Sequence, residues 1–176
     1  MLFGPDGNVR IDGTLPLILP SGRKVDVKRR VMSFEQRRGA KPVLPRIWSR
    51  KGYLNYEGEP LFAELVILRM LEKAGWEGVW VNNFANQFLI GLPKFTQPVP
   101  LPPMRNRTLA RIVTKNRGSR RGCWDVFAWR GRHVVFAEAK RKGKDHIRET
   151  QRAWLQAALA ARIPLSSFLV VEWTLV

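Results

Sequence analysis

The stretch Val134-Val135-Phe136-Ala137-Glu138-Ala139-Lys140 constrains the fold more than any other part of this chain. It is apolar on both faces that a strand presents until its end, where a carboxylate and an ammonium stand two residues apart. A strand of that kind belongs in a sheet covered on both sides, as in α/β proteins. Side chains two apart share a face, so Glu138 and Lys140 can act on the same atom or ion. Burying either charge alone is costly. A bare Glu-x-Lys is nevertheless a common tripeptide, and by itself it reads as a structural pair reaching solvent.

The surrounding pattern extends the α/β reading. Leu61, Leu65, Leu68 and Leu71 recur at helical spacing, which predicts a helix over 60–74 with Pro60 at its first position and Gly75 as its stop. A short strand is expected at 78–81. Residues 83–121 read as a long proline-containing connection whose second half holds a short helix. Paired strands are expected at 123–129 and 132–139, turned at Arg130-Gly131. A second helix over 147–162 and a last strand over 167–173 follow. Before them, Leu15-Pro16-Leu17-Ile18-Leu19 and Lys24-Val25-Asp26-Val27-Lys28 read as an irregular hairpin whose prolines push its first strand to an edge. Residues 1–55 are therefore taken as a basic, β-rich extension and 56–176 as one globular domain with a mixed central sheet.

Charge narrows the partner. Lys and Arg total 31 against 14 acids, a formal charge of +17. Such an excess favours a polyanion, because neutralising phosphates releases condensed counterions. No apolar run approaches the roughly 20 residues that span a bilayer, and no basic amphipathic helix suits a membrane surface. Nucleic acid is the expected partner, DNA first and RNA left open. Met1-Leu2-Phe3-Gly4-Pro5-Asp6 lacks the features of a secretory leader, so a cytoplasmic or otherwise intracellular protein is expected, with the nucleoid as one candidate location. Cys123 is the only cysteine, and His133 and His146 are the only histidines. That excludes an intramolecular disulfide, a histidine-rich metal site and a zincin motif, and argues against a cysteine-built zinc site.

Counting back from a turn at Arg130-Gly131 sets Trp129 opposite Arg132 and Asp125 opposite Phe136. Glu138 is then the diagonal neighbour of Asp125 on one face, close enough for two carboxylates to converge on one ion. Oxygen ligands without histidine or cysteine favour Mg²⁺ or Mn²⁺ over zinc. Lys140 on that face could orient or help deprotonate a water. Glu64 lies on the leucine stripe of the first helix, where an acid is expensive to bury unpartnered. Gln151 shares a stripe with Trp154, Leu155 and Ala158 on the second helix, placed either to line a site or to sit as a satisfied buried amide. The stretch Arg29, Arg30, Arg37, Arg38, Lys41, Arg46, Arg50 and Lys51 reads as a solvated arm or as a phosphate-tracking extension. Lys142 and Lys144 follow the charged strand end and suit a substrate backbone, as do Arg117, Arg120 and Arg121 in the basic connection.

The ordered set of Glu64, Asp125, Glu138-Ala139-Lys140 and Gln151 resembles the PD-(D/E)XK nuclease superfamily. More narrowly, Cys123-Trp124-Asp125-Val126 through Lys140, then Glu149-Thr150-Gln151-Arg152-Ala153-Trp154-Leu155, resembles its VRR-NUC group, with Trp124 where that group commonly has proline. The resemblance covers roughly residues 58–174. It implies a restriction-endonuclease-like αβββαβ core and a metal-dependent deoxyribonuclease acting on DNA, including structured DNA such as flaps or junctions. It also implies roles. Asp125, Glu138 and the Ala139 backbone carbonyl would hold Mg²⁺ or Mn²⁺, Glu64 would add a ligand directly or through water, Lys140 would position the nucleophilic water, and Gln151 would line the site. Paired cuts would call for a homodimer or sequential nicking. Two alternatives stay open: a non-catalytic nucleic-acid-binding module on the same fold, and an enzyme that works only with a partner subunit.

Overall fold

An antiparallel hairpin, β7 (Val126–Arg130) and β8 (His133–Arg141), forms the middle of a mixed sheet. The computed structural model describes Leu2, residues 9–39 and residues 51–176. Lys41, Arg46, Trp48 and Arg50 of the basic stretch lie outside the described residues. The remaining elements are β1 (Gly13–Ile18), β2 (Lys24–Gln36), β3 (Leu54–Tyr56), β4 (Glu59–Leu61), α1 (Ala63–Lys73), β5 (Glu77–Asn82), β6 (Gln87–Leu89), α2 (Pro103–Lys115), α3 (Glu149–Ala160) and β9 (Phe168–Leu175), with a 3-10 turn at Leu165–Ser167. Among the described residues the strands pair in the order β4-β3-β2-β9-β8-β7-β5-β6, with β1 on β2. β9 runs parallel to both β8 and β2, and the other pairings are antiparallel. The protein is thus α/β with a mixed, open central sheet flanked by helices.

Alternation along β8 and β9 explains the two layers. Val135, Ala137, Leu169 and Val171 pack with the α1 residues Leu65, Leu68 and Leu71. Phe136, Phe168 and Val170 point the other way, against Leu109 and Ile112 of α2 and Trp154 and Leu155 of α3. Phe127, Phe136 and Phe168 stack in series, with ring centroids 4.6 and 5.3 Å apart. Each strand thus buries apolar side chains on both faces, worth about 1.5–3 kcal/mol per large side chain. Among the described residues, no helix is long and apolar enough to cross a membrane.

Several boundaries differ from the sequence reading. Pro60 is not the start of the helix. It lies in β4 opposite Asn55, an end strand of the sheet path, where a missing N–H is tolerated, and α1 begins three residues later. Residues 83–121 hold β6 and a full α2 of 13 residues. The hairpin turns at Gly131-Arg132, because Arg130 pairs with His133. Gly131 has φ of 57°, as the first turn position of a II′ hairpin requires.

The largest difference concerns β2, which runs on from the expected Lys24–Lys28 strand to Gln36. Arg29 and Arg30 are therefore strand residues and not part of an arm. Arg30 forms two hydrogen bonds to Asp12, of 2.7 and 2.6 Å, and Arg29 pairs with Glu172 at 3.5 Å. β2 lies beside β9 over Lys28–Phe34, so residues 24–36 belong to the same sheet as the rest of the chain. Among the described residues β1 pairs with β2 alone.

Candidate functional site

Asp125 immediately precedes β7, and Glu138 lies near the end of β8. Continuing the observed register by one pair sets these residues directly opposite each other rather than diagonally. The shift from the sequence count is two positions in pairing, so each side chain keeps its face. Two hydrogen bonds tie the pair. The Asp125 N–H donates to Glu138 Oε2 at 3.1 Å, and the Ala139 N–H donates to Asp125 Oδ2 at 3.1 Å.

Glu138 is 1% exposed, and Lys140 is also buried. Lys140 Nζ stands 2.8 Å from Glu138 Oε1, the partnership that makes both charges tolerable inside the sheet. Gln151 Nε2 donates to the same Glu138 oxygen. Its other end, Oε1, accepts from the Arg148 N–H at 2.9 Å, capping the start of α3. Gln151 is therefore a satisfied amide that also faces the acids. Trp124, fully buried against Phe168, donates from Nε1 to the Gln151 backbone carbonyl at 3.3 Å. That contact fixes α3 against the segment carrying Asp125.

Glu64 enters from the other face, at the second residue of α1, half-buried. Its partner is Lys51, whose ammonium donates to Glu64 Oε1. Lys51 also lies over the rings of Phe62 and Trp80, at 5.1 and 5.3 Å from their centroids. Both helices begin at this end of the sheet, so their positive macrodipole ends face the acids.

Electrostatics disfavour the charged form of Asp125. Burial, with Glu138 and then Glu64 nearby, holds its carboxyl well above the usual carboxylate range, against the opposing pull of Lys51 and Lys140. Lys51 shows the converse. Burial pulls its ammonium down, but Glu64, Asp125 and Glu138 outweigh that and raise it. Together these groups line a pocket of about 370 Å³ that also includes Asn82, Asn83 and Asp145.

Among the described residues, no group of three or more His, Cys, Asp or Glu side chains is arranged to hold a metal ion. The acids of the pocket are the facing pair Asp125 and Glu138, with Glu138 held by Lys140 and Gln151, together with Glu64, engaged by Lys51, and Asp145, which accepts from the Arg141 N–H. No protein-family model, curated protein or solved structure matches the chain.

All five expected catalytic side chains (Glu64, Asp125, Glu138, Lys140 and Gln151) border the one pocket. The expected nucleic-acid contacts are spread more widely. Lys142 and Lys144 are exposed on the turn that follows β8. Arg117 and Arg121 border a separate hollow of about 460 Å³ beside the start of α3. Arg120 is half-buried, its guanidinium 4.4 Å from the Phe88 ring centroid. His133 lies at the opposite end of β8, and His146 is exposed before α3.

Two contributors have no role in the sequence reading. Lys51 was only one cation in a basic stretch, and no spacing rule links it to acids 74 and 87 positions away (125 − 51 and 138 − 51). Asn83 donates from Nδ2 to the Cys123 carbonyl at 2.6 Å, and the Val81 N–H donates to the Asp125 carbonyl at 2.7 Å. These bonds hold the backbone of Asp125 from the β5 side.

Proposed function

We propose that this protein is a metal-dependent nuclease that hydrolyses phosphodiester bonds in DNA. The observation that carries the reading is the convergence of Asp125, Glu138 and Lys140 on one pocket at a strand end, with Gln151 and Glu64 on its rim. The succession α1, β5, β7, β8, α3, β9, with β6 and α2 intervening, supports the likeness to a restriction-endonuclease-like core.

The donor set fits Mg²⁺ or Mn²⁺. Asp125 and Glu138 offer hard oxygens, and among the described residues neither imidazole nor thiol lines the pocket. Burial first, and then Glu138 and Glu64, disfavour the charged form of Asp125, and a divalent ion would offset that. Asp125, Glu138 and the Ala139 carbonyl would hold the ion, and Glu64 would join them through water. The ion would supply Lewis acidity at the scissile phosphate.

The protein's own groups do the rest. Lys140, held by Glu138, presents an ammonium to an attacking water and to charge building on phosphorus. Gln151 fixes the Glu138 carboxylate through one end of its amide and the start of α3 through the other. Lys142 and Lys144, beside the site, neutralise flanking phosphates. The test is Mg²⁺- or Mn²⁺-dependent nicking of plasmid, flap and junction DNA by wild type, Asp125→Ala and Lys140→Ala. Cleavage by wild type and its loss in both variants is expected. No cleavage by wild type, or equal cleavage by the variants, overturns the reading.

Two observations favour a second reading, a non-catalytic nucleic-acid-binding protein. Lys51 already provides a cation among the acids, and no three-ligand metal group is formed among the described residues. Such a protein would bind DNA equally well in EDTA and would show no Mn²⁺ site at Asp125 and Glu138.

A further inference from the structure

A hollow of about 780 Å³ lies at the opposite end of the sheet from the acids. Lys28, Arg105, Arg111, Arg130, Arg132 and Arg162 line it, and among the described residues no aspartate or glutamate does. His133, at its rim, and Glu138 are five residues apart on β8, roughly 16 Å at a strand's rise. The two sites are thus separate surfaces.

Four of the six cations donate to backbone carbonyls. Lys28 Nζ reaches Ser166 O at 3.3 Å and Arg130 reaches Ala74 O at 3.1 Å, while Arg105 and Arg111 donate to Gly131 and Ala161. Carbonyls satisfy donors without cancelling charge. None of the six is in an ion pair among the described residues. Several like charges around one concavity repel each other, and the concave wall focuses their potential. That arrangement costs stability until an anion enters. Guanidinium groups match phosphate oxygens in pairs, so the complementary ligand is phosphate.

The surface beside the hollow shows which kind of phosphate. α2 contains no acid, and Arg107, Arg111 and Lys115 recur every four residues on its exposed side, a row of roughly 12 Å. A row of cations leading out of a basic hollow suits a continuous polyanion better than a compact phosphate compound. We infer that this hollow and the α2 row form a second nucleic-acid-binding surface, which grips backbone phosphates away from the acidic pocket. It rests on charge and geometry and does not require that pocket to cleave.

The test is anisotropy titration of a fluorescein-labelled single-stranded oligodeoxynucleotide in EDTA, so that binding is read apart from cleavage. Arg132→Glu/Arg162→Glu removes two exposed cations whose side chains have no partner among the described residues. A matched control, Arg23→Glu/Lys24→Glu, makes the same charge change at the β1–β2 turn. The expected result is about tenfold weaker binding for the first pair, with the slope of log affinity against log salt smaller by about 1.4. The control pair should move either quantity much less. Should the glutamates disturb folding, Arg132→Ala/Arg162→Ala should still weaken binding about threefold. Equal losses in both pairs, no loss in the first, or binding of tripolyphosphate with unaltered oligonucleotide affinity would each overturn the inference.

Discussion

The Lys51 ammonium is bonded to Glu64 and raised by the combined field of Glu64, Asp125 and Glu138. It is a built-in monovalent counter-ion in the region where the proposed divalent ion would sit. Removing it should leave the acids less neutralised and more attractive to a cation. Lys51→Ala is therefore expected to bind Mn²⁺ about tenfold more tightly than wild type, or about 1.4 kcal/mol, by isothermal titration calorimetry. Unchanged or weaker binding would show that the lysine and the ion do not compete.

Asp125 gives the protein a pH signature. Its carboxyl titrates near 3.8 when unfolded and well above that when folded. Between the two values the folded state holds the extra proton, so stability attributable to this group falls as pH rises through that window. Asp125→Asn removes the charge while keeping an oxygen for the Ala139 N–H. The variant should melt about 2–4 °C higher than wild type at neutral pH, with the gap closing near pH 4. A gap that stays constant across pH would refute the assignment.

Gly122 sets how closely α3 approaches the Asp125 segment. Its φ is +82°, and a Cβ there would collide with the Thr150 carbonyl and come within 2.9 Å of the Gln151 nitrogen. Gly122→Ala therefore strains the backbone and pushes on the helix start that presents Gln151. A loss of about 2–3 kcal/mol is expected, seen in calorimetry as a melting point lower by about 5–10 °C. An unaltered melting point would mean that α3 retreats at no cost.

Cys123 should be chemically silent in the folded protein. It is 1% exposed, and burial pushes its thiol far above the ordinary range, so little thiolate is present to react. A thiol-exchange disulfide reagent should label it only after denaturation, with stoichiometric labelling in guanidinium. Rapid labelling under native conditions would place it at an open surface.

The parts that were legible in sequence obey short-range rules. The Val134–Lys140 run showed a strand buried on both faces, and period-two alternation kept Glu138, Lys140 and Asp125 on one face even though the turn lies one residue later. Local rules failed where distant residues decide. Pro60 follows helix-start statistics, yet its pairing with Asn55 makes it a strand residue. Arg29 and Arg30 look like part of a solvated arm until Asp12, Glu172 and β9 give them partners. Lys51 carries no local signal at all, because its role arises only when its ammonium meets Glu64 beside the facing acids.

The pairing of β2 with β9 also has a kinetic consequence. Lys28 lies beside Leu169 and Phe34 beside Leu175, partners 141 positions apart in the chain (169 − 28 and 175 − 34). During ribosomal synthesis, β2 emerges long before the strand that covers its inner edge. Until β9 arrives, Val27, Met32 and Phe34 border an unpaired hydrogen-bonding edge, open to a neighbouring nascent chain or a chaperone. Sheet closure with so large a sequence separation is slow, so the protein should complete its fold late, by docking its last described strand between two already formed halves.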